Sequence, residues 1–158
     1  MTFPPSSPPA VLLIGHGTRL PAGVAEFHAL ADRLQQALPD RACRACFLEL
    51  VEPSVPEALA TLWRQGCRRV TALPALLMAA GHVKNDIPVM LNAFQAEHPE
   101  IRITFGADLG IHPNLLRVAR ERIETGETEF GPDYDRRDAL LVVIGRGCSD
   151  PDANANIC

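Results

Sequence analysis

Unbroken apolar runs alternate along this chain with longer stretches in which apolar residues recur every three or four positions. Residues 11–14, Val11-Leu12-Leu13-Ile14, contain no polar break, as a strand buried on both faces of a parallel sheet requires. Residues 22–38 place Val24, Phe27, Leu30, Ala31, Leu34 and Leu38 at helical spacing and stop at Pro39-Asp40. A second strand is predicted over 43–50. Ser54 then reads as a helix N-cap, Pro56 suits the first turn, and Glu57 stands where a capping box needs it. That helix runs to about Gln65, and Gly66 is its stop. A third strand follows over 69–77, then a loop over 78–82 and a helix over 85–97 with Pro88 near its start. Residues 101–105 give a fourth strand, and His112-Pro113 opens a helix to about Glu124. The stretch 125–138 is polar, and 139–144 is again wholly apolar, as a strand would be.

A βα unit repeated four times with short connections, followed by a further strand, predicts an α/β fold: a doubly wound, mainly parallel four-stranded sheet flanked by helices. The final strand has an internal echo. Gly145-Arg146-Gly147-Cys148-Ser149-Asp150-Pro151 repeats the plan of Gly15-His16-Gly17-Thr18-Arg19-Leu20-Pro21, with Arg146 where the first copy has His16. The expected organisation is a disordered proline-rich leader over 1–9, one domain over 10–125, a linker over 126–138 and the first strand of a second, similar, truncated repeat over 139–158.

Composition narrows the function classes. At 158 residues with 47% hydrophobic and 22% charged residues, the chain fits one soluble domain with its own core. A net charge of -4 argues against a general nucleic-acid surface, so no nucleic-acid partner is expected. The leader has no basic cluster and resembles neither a signal nor a transit peptide. The longest apolar run, over 70–81, contains Pro74 and is too short to span a bilayer, so no membrane segment is expected. Five cysteines, an odd number, fit reduced thiols and a cytoplasmic location. Cys43 and Cys46 form a C-x-x-C, but residues three apart on a strand point to opposite faces, which suits neither a metal nor a redox pair.

Three ionisable residues fall at predicted strand carboxyl ends: His16, Glu49 and His82, each 33 residues from the next. Since a βα repeat takes roughly 30 residues, equal spacing puts them at one height on successive units, at the sheet edge where α/β folds bind ligands. Taken singly, His16 and His82 could be satisfied by backbone groups, and Glu49 could face solvent. Together, two imidazoles and a carboxylate suit a divalent first-row metal and can accept protons near neutral pH. Gly15 and Gly17 could instead cradle an anion at a helix N-terminus in a phosphate-handling enzyme, a rival reading weakened by the missing Walker lysine pattern. His28 and His98 read as exposed helix positions, while His112 starts a helix at the same edge and is a weaker site candidate, a capping role being its alternative.

The blocks Gly15-His16-Gly17-Thr18-Arg19, Phe47-Leu48-Glu49-Leu50-Val51-Glu52-Pro53-Ser54 and Ala79-Ala80-Gly81-His82-Val83-Lys84-Asn85-Asp86-Ile87-Pro88 resemble the signature blocks of the CbiX-type sirohydrochlorin chelatases, in order and spacing over about residues 10–122. The resemblance implies a flavodoxin-like chelatase domain. It implies ATP-independent insertion of Co2+ or Fe2+ (Ni2+ being another candidate) into sirohydrochlorin, for cobalamin or siroheme. On this resemblance His16, His82 and Glu49 are the catalytic and metal-site residues. Arg19 and Lys84 would hold ring carboxylates, and Met78 with Leu76 and Leu77 would offer an apolar wall. One βα domain gives one wall of so large a cleft, so a homodimer or a second half is expected to close it. The alternative is a metal or tetrapyrrole carrier with the same site and no turnover.

Overall fold

The first apolar run, Val11–Ile14, forms the inside of the one sheet. The computed structural model describes residues 8–131, 133–145 and 147–156. Residues 1–7 of the expected leader, Arg146 and Cys158 lie outside the described residues. Strands β1 (Ala10–Gly15), β2 (Cys43–Phe47), β3 (Arg69–Pro74) and β4 (Arg102–Phe105) are all parallel, in the order β2-β1-β3-β4. Every residue of β1 is buried, which is why its sequence has no polar break. The helices are α1 (Pro21–Ala37), α2 (Val55–Arg64), α3 (Ile87–Glu97), α4 (Pro113–Glu127) and α5 (Pro151–Ala155).

Leu12 and Ile14 of β1 and Cys46, Val70 and Ala72 of its neighbours pack with Leu59 and Leu62 of α2 and with Ile87, Leu91 and Phe94 of α3. Leu12, Leu59 and Leu62 are fully buried, each contributing about 1.5–3 kcal/mol of apolar burial. Val11 and Leu13, on the other pleat face, are buried too, and Phe27 of α1 meets Phe47 of β2 with ring centroids 5.0 Å apart. Ser54 and Glu57 form the expected capping box at α2. One carboxylate oxygen of Glu57 accepts from both the Ser54 N–H (2.8 Å) and its hydroxyl (2.7 Å).

The strand order fixes the position of the site. From β1 the chain steps outward to β2, then returns across β1 to β3 on its other side. The reversal makes the carboxyl ends of β1 and β3 a topological switch point, where ligands of open α/β sheets bind.

Several expectations change. β2 ends at Phe47 rather than Leu50, because Leu50 turns the chain with φ +69°. β3 ends at Pro74 rather than Leu77; Ala75 N–H still bonds Ile14 C=O, but the carbonyls of Leu76 and Leu77 accept from Leu109 and Gly110 in the loop after β4. Helical structure before α3 begins at His82, not Asn85, as a wide π-turn over His82–Asp86. Pro88 has no N–H to offer the α-register acceptor Lys84, and Ile87 N–H bonds back to His82 C=O instead. His98 is half-buried rather than exposed, its ring 4.4 Å from Trp63 and 4.5 Å from Phe94 between centroids.

The expected strand over 139–144 does not form. A strand needs a neighbour to receive its backbone hydrogen bonds, and this stretch pairs with neither sheet edge. Leu140 and Ile144 are 87% and 89% exposed. The plan of the echo survives locally: Gly147 has φ +71°, as Gly17 has +99°, and Pro151 opens α5 as Pro21 opens α1. Helix α4 buries no residue. Its Leu116, Ala119 and Ile123 instead share an open groove with Phe130, Tyr134 and Leu140. Short 3-10 turns at Thr128–Phe130 and Arg136–Asp138 occupy the expected linker, where Glu127 accepts from Tyr134 and Arg136. Among the described residues, no helix is long and apolar enough to cross a membrane.

Candidate active site

His16 leaves β1 between two glycines, each with a specific steric reason. A Cβ on Gly15 would lie 2.7 Å from the Phe27 ring, and one on Gly17 would lie 1.9 Å from the carbonyl oxygen of Glu49. Gly17 also sits at φ +99°, where L side chains are strained. The close approach locks two loops together. Leu48 N–H bonds Gly15 C=O at 2.9 Å, and Glu49 N–H bonds His16 C=O at 3.2 Å. So Glu49, although past the end of β2, is held beside His16 by a continuation of the β1–β2 pairing. Its carboxylate Oε1 lies 3.5 Å from His16 Nδ1, and the Gly17 carbonyl lies 3.4 Å from the same nitrogen.

His82 arrives from the opposite side, on the π-turn after β3. Val83 and Ile87, both buried, anchor that turn in the core and leave His82 half-exposed at the edge. The His16 and His82 rings meet edge-to-face with centroids 4.9 Å apart and planes at 80°. Of the three residues expected on one edge, His16 meets both Glu49 and His82, through one contact each.

The sequence reading missed Asp86. Asp86 Oδ2 lies 2.7 Å from His82 Nδ1, four residues along the same helical segment. The signal was present in the i, i+4 spacing, but only once His82 is on a helix rather than in a loop. The site is therefore two imidazole–carboxylate pairs, His16–Glu49 and His82–Asp86, in contact through their rings. Among the described residues, no three His, Cys, Asp or Glu side chains are grouped as a ready metal-binding set. In both pairs the carboxylate faces Nδ1, so Nε2 is the nitrogen each ring has for a ligand or a proton. The side chains of His16 and His82 are 40% and 42% exposed, which leaves the pair open to a large partner.

The surrounding residues differ in availability. Arg19 is exposed at the loop after His16. Lys84 is not free: its ammonium lies 2.6 Å from Asp150 and 3.0 Å from Asp152, both at the start of α5. Those hydrogen bonds raise the Lys84 pKa above its ordinary value, and the Lys84 hydrogen bond lowers that of Asp150. Met78 is half-buried in the loop before His82. His112 is a cap, its Nδ1 accepting from Asn114 N–H at 3.2 Å. The C-x-x-C is not a reactive pair: burial raises the Cys43 thiol and pushes Cys46 up to about 12, the reverse of an activated thiolate.

At the β2–α2 turn, Glu52 and Glu57 meet over Ser54. The hydrogen bond between the two carboxyl groups raises Glu52, and that bond together with those from Ser54 lowers Glu57 to about 2.

Compared with known proteins, residues 10–126 match the CbiX family. The chain is 33% identical over 150 residues to the sirohydrochlorin cobaltochelatase of Priestia megaterium, covering 94% of this chain and 47% of that protein. It is 30% identical over 148 residues to the sirohydrochlorin ferrochelatase of Bacillus subtilis, covering 94% of this chain and 54% of that one. It thus spans about half the length of these curated relatives. The solved structure of SirB from Bacillus subtilis with Fe3+ superposes with a TM-score of 0.80 at 30% identity, covering 93% of this chain and 56% of that chain.

Proposed function

The chain belongs to the CbiX family, and from that premise we propose that it inserts Co2+ or Fe2+ into sirohydrochlorin without a nucleotide, in cobalamin or siroheme biosynthesis. The observation that carries this reading is the contact between His16 and His82 across the switch point, each imidazole backed by a carboxylate on Nδ1. Insertion requires a metal ion to shed water and two pyrrole N–H protons to leave the ring, so each turnover consumes one ion and releases two protons. A neutral imidazole can do both tasks: its lone pair binds the ion or accepts a proton. We assign metal presentation and proton acceptance to Nε2 of His16 and of His82. Glu49, beside His16, orients that ring, shares in holding the ion or relays its proton.

The tetrapyrrole lies flat over the pair, with Met78 on its apolar side and Arg19 toward its carboxylates. Lys84 is a second cation for those carboxylates, and a ring carboxylate would exchange there with Asp150 and Asp152. A second copy of the chain, or a following similar half, closes the cleft; the exposed apolar stretch over 140–144 and the uncovered face of α4 support such a partner. Unpaired Cys43, Cys46, Cys67 and Cys148 support a cytoplasmic setting.

The test is anaerobic incubation with sirohydrochlorin and Co2+ or Fe2+, followed by absorbance. The metallated spectrum should grow faster than in a protein-free control. Binding of the ring or ion with no such acceleration would instead identify a carrier. Competition between Co2+, Fe2+ and Ni2+ in the same assay reads the metal preference, which His and carboxylate donors alone do not fix.

A further inference from the structure

We propose that Asp86 is a positioning residue that holds His82 as its Nδ1–H tautomer, with the Nε2 lone pair permanently turned to the cleft, while His16 is left free to change tautomer. The inference rests on the reading of His82 as a working residue and says how it is kept competent.

The two pairs are unequal. At 2.7 Å, the Asp86 Oδ2–His82 Nδ1 contact has the length of a charge-assisted hydrogen bond. An ionised carboxylate only accepts, so the proton of that bond belongs to Nδ1, and the neutral ring keeps its lone pair on Nε2. Both partners sit on one π-turn, four residues apart, and the buried Val83 and Ile87 fix the turn that carries them. The geometry is therefore set by one short segment and does not depend on another loop staying in place. His16 has no such partner. Its Nδ1 faces Glu49 Oε1 at 3.5 Å and the Gly17 carbonyl at 3.4 Å, both at the outer limit of a hydrogen bond.

This asymmetry suits a reaction needing two different services. A ring locked with its lone pair outward is a constant donor, and a carboxylate on its far nitrogen makes it a stronger one. A ring with two long contacts can take a proton on one nitrogen and lose it from the other. His82 is thus the fixed donor and His16 the proton carrier. Asp86 touches neither ion nor tetrapyrrole in this scheme; it acts through His82.

Nitrogen-15 NMR of the histidine side chains reads the tautomer without any substrate. On the alkaline side, at a pH beyond which the shifts no longer change, His82 should show a pyrrole-type Nδ1 and a pyridine-type Nε2, while His16 shows averaged shifts. In Asp86→Asn the His82 pattern should become averaged, and Asp86→Glu should restore it in part. Asp86→Asn should also lower kcat for insertion by about 10–100-fold with KM for the tetrapyrrole unchanged. An Nε2–H tautomer in the wild type, or a His82 pattern unmoved by Asp86→Asn, would overturn the inference. If the tautomer responds as stated but wild-type protein inserts no metal, the positioning stands and the chelatase reading fails.

Discussion

Gly17→Ala probes the steric lock between the His16 and Glu49 loops. At φ +99° a side chain costs about 1–2 kcal/mol. The new Cβ would stand 1.9 Å from the Glu49 carbonyl oxygen, which must retreat by more than about 1 Å to reach an ordinary C···O contact. That retreat breaks the bonds of Leu48 N–H to Gly15 and Glu49 N–H to His16, each worth about 1 kcal/mol net. The expected destabilisation is about 2–4 kcal/mol, a fall in Tm of about 5–15 °C for a chain of this size. Because a misplacement of about 1 Å at a site can cost on the order of 100-fold in rate, insertion should fall further than stability alone explains. Gly81→Ala is the control. Gly81 has φ −45° and ψ −44°, and a Cβ there meets nothing within 4 Å, so alanine should stabilise by about 0.4–1 kcal/mol. Thermal melts of both variants decide. Gly17→Ala melting with the wild type, or the two variants shifting Tm alike, would refute the steric account.

Ser54→Ala removes the hydroxyl of the capping box at α2 and should lower the urea midpoint by the equivalent of about 1 kcal/mol; an unchanged midpoint would contradict the cap. Thiol labelling read by mass spectrometry should modify exposed Cys148 in the native protein and reach buried Cys46 only on unfolding; prompt labelling of Cys46 would be inconsistent with its burial. The double change Asp150→Asn and Asp152→Asn should free Lys84 and tighten tetrapyrrole binding about two- to fivefold at low salt, an effect that fades at high salt. Unchanged affinity would remove Lys84 from the substrate site.

The sheet was legible from its central strand, where Val11-Leu12-Leu13-Ile14 is buried on both faces and wholly apolar, and from the helical spacing between the more mixed strands that flank it. The site was legible through the 33-residue spacing of His16, Glu49 and His82, which a regular βα repeat turns into proximity. What local pattern could not reveal was set by contacts distant in sequence or by backbone register. The early end of β2 depends on Leu50 turning left-handed, which nothing in its apolar side chain announces. Asp86 was hidden because Pro88 shifts the preceding turn into a π-register and draws His82 onto the helix. Residues 139–144 have the composition of a strand, yet strand formation depends on a pairing neighbour as well as on composition. Lys84 looked like a free cation because its partners, Asp150 and Asp152, lie over sixty residues away.

Whether the two imidazoles carry metal insertion is decided by initial rates of sirohydrochlorin metallation for His16→Ala and His82→Ala. Both side chains are partly exposed, so each variant should melt within about 0.5 kcal/mol of the wild type. Both rates should fall to that of the protein-free control; either variant inserting metal as fast as the wild type would rule out that role for its imidazole.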